Sequence, residues 1–72
     1  MRLIAEVIKA ARKRKGLTQR ELARLIGTGE MRVARWERGA SAPSAKYVFR
    51  LADALGIDPR DLVADEAGGD RG

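Results

Sequence analysis

Glycines at 16, 27, 39 and 56 divide this 72-residue chain into short blocks, and within each block the apolar residues recur at helical spacing. Val, Ile and Thr never form an alternating run of strand length, so no strand is predicted. Leu3, Ile4, Val7, Ile8 and Ala11 predict an amphipathic helix over about 3–15. Its last turn, Arg12-Lys13-Arg14-Lys15, complements the negative end of the helix dipole, and Gly16 stops it. Thr18 and Glu21 have the spacing of a capping box and open a second helix, with Leu22, Leu25 and Ile26 on its buried face. A third helix is predicted from about Gly29 to Arg38, with Val33 and Trp36 sharing a face. Pro43 cannot sit in a helix interior. Ser44 therefore caps a fourth helix over about 44–55, which turns Val48, Leu51, Ala52 and Leu55 inward. Asp58-Pro59 starts a fifth, short helix reaching about Val63. The expected architecture is all-α: a compact bundle of five short helices over 1–64, followed by a disordered, acidic and glycine-rich tail over 65–72.

A chain of this length supports one domain and leaves little room for an enzyme cleft. Cysteine and histidine are both absent, which removes disulfides, thiolate metal sites and the commonest general base and zinc ligand. The acidic residues fall among caps and turns with no spacing that suggests a catalytic pair. No phosphate-cradling G-x-x-x-x-G-K loop is present. The expectation is no enzyme activity, no cofactor and no metal. No stretch approaches the roughly 18 apolar residues of a membrane span, and the N-terminal apolar run is too short for a signal peptide. A cytoplasmic location is expected. Charge is unevenly spread. Residues 1–50 carry 13 basic and 4 acidic side chains, net +9, and residues 51–72 carry 2 basic and 6 acidic, net −4. A basic body of this kind is an electrostatic footprint for a polyanion.

The segment Gln19–Arg38 holds two short helices joined by a turn around Gly27. Ala23, small and mid-helix, lets a second helix cross close to the first, and Gly27 permits a left-handed turn. Leu22, Ile26, Val33 and Trp36 then meet on the inner side, as in a helix-turn-helix. Gly16-Leu17-Thr18-Gln19, Glu21-Leu22-Ala23, Gly27 and Arg35-Trp36-Glu37-Arg38-Gly39 resemble the lambda-repressor and Cro-type helix-turn-helix family. Pro43-Ser44 and Leu51-Ala52-x-Ala54-Leu55-Gly56 fall where that family's fourth helix does. The resemblance covers roughly residues 4–63.

It implies a third helix lying in the DNA major groove, in a bacterial, archaeal or phage-encoded protein. It implies base-edge positions from Gly29 through Glu30, Met31 and Arg32, with Arg35 one turn on, and a phosphate contact from Gln19. Gly29, Arg38 and Arg14 are further candidates for backbone contact. The resemblance also pairs Arg12 with Glu37. Departures from the family pattern are Thr28, where an aliphatic residue is commoner, Gly29 in place of a Ser or Thr cap, and Ala40 and Ala42 in a loop that is often basic.

Chemistry leaves two roles for several of these side chains. Arg35 suits bidentate pairing to guanine, or else pairs with a neighbouring acid. Arg32 contacts base or phosphate, or lies on a solvated face. Glu30 accepts from cytosine N4, or satisfies its own helix N-terminus. Met31 touches a thymine methyl, or packs on its own helix. Lys13, Arg14 and Lys15 are phosphate ligands, or a solvated charge run. Trp36 is read as core rather than a base-stacking platform, because it shares a face with Val33. Phe49 and Val63 lie beside the inner stripes and are candidates for a homodimer patch.

The function expected is a sequence-specific double-stranded DNA-binding regulator of transcription, a repressor reading a short inverted repeat as a dimer. The alternative is an antitoxin or adaptor that holds a partner protein such as a toxin and autoregulates through the same domain. The short tail offers such a partner little surface to wrap. A membrane-surface role for the basic first helix would leave the central motif unexplained, so no membrane partner is expected.

Overall fold

The computed structural model describes residues 3–62. Among them, α1 spans Ile4–Arg14, α2 Gln19–Ile26, α3 Glu30–Arg38 and α4 Ala45–Leu55, and a single 3-10 turn spans Pro59–Leu62. The last element is thus tighter than the α-helix expected there. It holds only four residues, and Asp58 caps it by accepting from the Arg60 backbone N–H at 2.9 Å. The predicted tail and Val63 lie outside the described residues.

Local chemistry accounts for the boundaries. The capping box forms in full: Thr18 Oγ1 accepts from the Glu21 backbone N–H at 3.0 Å, and Glu21 Oε1 accepts from the Thr18 N–H at 2.9 Å. α2 ends on Gly27, whose φ of +79° is left-handed. A Cβ there would be strained and would also meet the Arg50 guanidinium at 3.2 Å. The Thr28 N–H then returns to the Ala23 carbonyl at 2.9 Å, closing the helix end. Only Gly27, Thr28 and Gly29 separate α2 from α3, so the two helices must cross steeply. Ala23, 1% exposed, fills the crossing. Ser44 occupies the N-cap position of α4, but its side chain makes no capping bond; only its carbonyl is used, by Val48 N–H at 2.9 Å.

Ile8, Leu22, Val33, Leu51 and Leu62 are completely or almost completely buried, one or more from every element. Trp36 joins them, in keeping with its reading as core. Two apolar residues assigned to inner stripes lie outside. Leu25 is 62% exposed because α2 is only two turns long and its buried arc is already filled by Leu22, Ala23 and Ile26. Leu3 is 55% exposed because it precedes α1 as the N-cap residue. Tyr47 and Leu62, which the spacing argument did not single out, are buried. Among the described residues, no helix is long and apolar enough to cross a membrane.

Candidate nucleic-acid interface

α3 has two faces. Val33 and Trp36 anchor it to the core, so Glu30, Met31, Arg32, Arg35 and Arg38 are left on the outer face. Met31 is 75% exposed, an apolar side chain set among cations. Gly29, Met31, Arg32 and Arg35 line one groove of about 550 Å³, together with Thr28, Ser41, Ser44 and Tyr47. The groove runs between the front of α3 and the start of α4. The 28–32 segment reaches it because Gly29, extended at φ −91° and ψ 154°, serves as the N-cap of α3 without a capping side chain.

Glu30 does not line that groove. Its carboxylate lies 3.7 Å from Arg20 Nε on α2, and both groups are largely exposed. An exposed pair at that distance contributes little to stability. Arg14 is also elsewhere: it lines a separate groove between α1 and the 3-10 turn, with Leu3, Val7 and Ile57. Arg38 sits at the back of α3, near Ile4 and Ser41.

The C-terminal half of α3 is tied to α1 and α2 through Glu37. Arg12 Nε donates to Glu37 Oε2 at 2.7 Å and Arg12 Nη2 to Oε1 at 3.0 Å, a two-pronged pair. The two side chains are 12% and 3% exposed. Arg12 Nη1 also donates to the Leu17 carbonyl at 2.7 Å, so the guanidinium bridges the α1–α2 turn to α3. The bond to Glu37 raises the Arg12 pKa above its ordinary value, against the opposing effect of burial. Gln19, at the start of α2, is half-buried, and its Nε2 donates to Glu37 Oε1 at 3.0 Å. That bond uses one of the two amide hydrogens.

The side of α3 toward α4 meets a cluster that spacing did not reveal. Tyr47, in the first turn of α4, packs against Trp36 with ring centroids 5.4 Å apart and tilted by 52°. The Arg32 guanidinium lies 5.4 Å from the Tyr47 ring centroid, with Lys46 at 5.0 Å and Arg50 at 5.9 Å. A hydrogen bond from the Thr28 side chain, helped by these three cations, holds the Tyr47 hydroxyl below the ordinary tyrosine range. Arg50 also donates to the Ile26 carbonyl at 3.0 Å, satisfying an open group at the end of α2. Tyr47 could have been placed on the inner stripe from its position four before Leu51. Its cationic neighbours come from tertiary packing.

A short rigid turn, a helix with one anchored and one cationic face, and a groove beside that face define a helix-turn-helix DNA-binding domain. Residues 8–62 match the family described as Helix-turn-helix, and the chain belongs to it, in the branch of the lambda and Cro repressors. The HTH-type transcriptional regulator DicA of Escherichia coli (strain K12) is 39% identical over 56 residues, covering 78% of this chain and 42% of DicA. Antitoxin PezA of Streptococcus pneumoniae serotype 4 is 30% identical over 64 residues, covering 89% of this chain and 40% of PezA. The chain thus spans well under half the length of these two relatives. The P22 c2 repressor in complex with a synthetic operator superposes with a TM-score of 0.83 at 28% identity, covering 88% of this chain and 96% of that one.

Proposed function

We propose that this chain is a sequence-specific double-stranded DNA-binding regulator of transcription, a repressor that acts in the cytoplasm by occupying a short inverted repeat. The observation that carries this reading is the outer face of α3, where Met31, Arg32 and Arg35 border one groove beside the three-residue turn from α2. α3 enters the major groove, with Glu30, Met31, Arg32 and Arg35 toward base edges. Arginine supplies a bidentate fork for guanine, and Met31 an apolar surface for a thymine methyl. Gln19, through its second amide hydrogen, Gly29, Arg38 and Arg14 hold the sugar-phosphate backbone. Bound protein excludes polymerase from the site, and no chemical step or cofactor is required.

A homodimer doubles the few base pairs that one such domain reads. Phe49, 64% exposed on α4, is the candidate centre of that contact, together with Val63. Similarity to an antitoxin supports a second role for the same domain, in which the protein also holds a partner protein such as a toxin and regulates its own synthesis.

Selection from a randomised duplex library, followed by titration at several salt concentrations, tests this function. An enriched, two-fold symmetric sequence is expected. If each subunit neutralises about four phosphates, a dimer neutralises about eight, and log K falls against log salt with a slope near −7. Absence of any enriched sequence, or a slope near zero, would refute it.

A further inference from the structure

We propose that Tyr47 is a positioning residue for DNA reading: its ring, packed against Trp36, holds the Arg32 guanidinium of α3 in place. The inference rests on the reading of α3 as the DNA-contacting helix.

Three observations carry it. Arg32 and Trp36 are four residues apart on α3 and so lie on one side of that helix, one turn above the other. Tyr47 meets both, with Trp36 packed against the ring and the Arg32 guanidinium 5.4 Å from the ring centroid. The negative face of an aromatic ring attracts a cation at this range. Of the three cations around the ring, Arg50 is also bonded to the Ile26 carbonyl and Lys46 adjoins Tyr47 in the chain. Arg32 alone reaches it from the recognition helix. Tyr47 itself is only 9% exposed, so the platform cannot swing away.

An exposed arginine samples many rotamers, and ordering it on binding opposes affinity. A guanidinium already stacked on a fixed ring loses less. α3 and α4 therefore meet at one ring, and the pose of Arg32 depends on both.

The experiment is a double-variant cycle on a duplex selected by the wild-type protein from a randomised library. Wild type, Tyr47→Leu, Tyr47→Phe, Arg32→Ala and the Tyr47→Leu/Arg32→Ala pair are titrated against that duplex and its single-base-pair variants. Tyr47→Leu is expected to weaken binding about three- to fivefold, the range of a surface cation–π contact. Its sequence profile should match that of Arg32→Ala, and the loss should vanish in the Arg32→Ala background. Tyr47→Phe keeps the ring and should keep most of the affinity. Equal losses in both backgrounds overturn the proposal, as does an Arg32→Ala variant that binds like wild type. If the wild type enriches no sequence, the functional reading falls, and the same cycle on a fixed duplex still decides the coupling. Should Tyr47→Leu not fold, proton NMR of the wild type decides: ring currents are expected to move the Arg32 δ-methylene protons upfield of those of Arg35, and coincident shifts overturn the proposal.

Discussion

Toward α1, the recognition helix is held by Glu37, whose carboxylate accepts three hydrogen bonds, two from Arg12 and one from Gln19, and is 3% exposed. Toward α4, the same helix is held by Trp36 and Arg32 against Tyr47, through a ring contact and a cation–π contact. The first attachment is directional and dry. Its bonds are short and directional, and loss of a partner leaves a largely buried charge without its counter-ion. The second is broad and partly wet. An aromatic face tolerates small shifts of a guanidinium. One helix is thus held by a directional contact on its α1 side and a softer one on its α4 side.

The largest effect is expected at the dry attachment. Arg12→Ala leaves Glu37 buried without its guanidinium and should cost about 3–5 kcal/mol, measured by denaturant or thermal unfolding. That is comparable to the net stability a small single core supplies. Replacing both partners, Arg12→Met with Glu37→Leu, should recover much of the loss, because no charge is then stranded. A loss below about 1 kcal/mol for Arg12→Ala would show that the pair behaves like an exposed one.

Arg35→Ala sharpens the contrast from the DNA side. The side chain is exposed and projects from the outer face of α3. Folding stability should change by less than about 0.5 kcal/mol. Binding to the selected duplex should weaken by about 1–3 kcal/mol, with preference relaxed at one base pair. Unfolding on this substitution would mean that the outer face of α3 also carries structure.

The smallest effect is a titration. Tyr47 is the only tyrosine in the chain, so its ionisation can be followed by ultraviolet absorbance without interference from another phenol. The Thr28 hydrogen bond, then Lys46, Arg32 and Arg50, favour the ionised form in the folded state. The folded midpoint should therefore lie below that of the unfolded chain. The resulting stabilisation is present in full above the unfolded value and is lost as pH falls through the folded one. Thr28→Val should move the midpoint up. A folded midpoint at or above the unfolded one would show that Thr28 and the cations do not favour the ionised phenol.

Much of the fold was legible in one dimension. Helix ends are short-range events: the Thr18–Glu21 box, the left-handed Gly27 and the proline at 59 act on backbone groups within a few residues. The separation of α3 into an inner face at Val33 and Trp36 and an outer cationic face follows from the helical period alone. The same period misplaced Leu25, because how wide a buried arc a two-turn helix needs depends on what packs against it.

By itself, then, the sequence determined where the helices start and stop, that the turn between α2 and α3 is three residues long, and which side of α3 faces out. Those properties depend on backbone conformation and residue period, which neighbours in the chain control. Only the tertiary structure decided that Glu37 would gather Arg12 and Gln19, that Leu25 would face solvent, and that Tyr47 would collect Trp36, Arg32 and Arg50 around one ring. Each of these joins residues from different helices, and whether they meet depends on crossing angles set by the whole core, with Ala23 small enough to let α3 approach and Leu51 and Leu62 closing the opposite side.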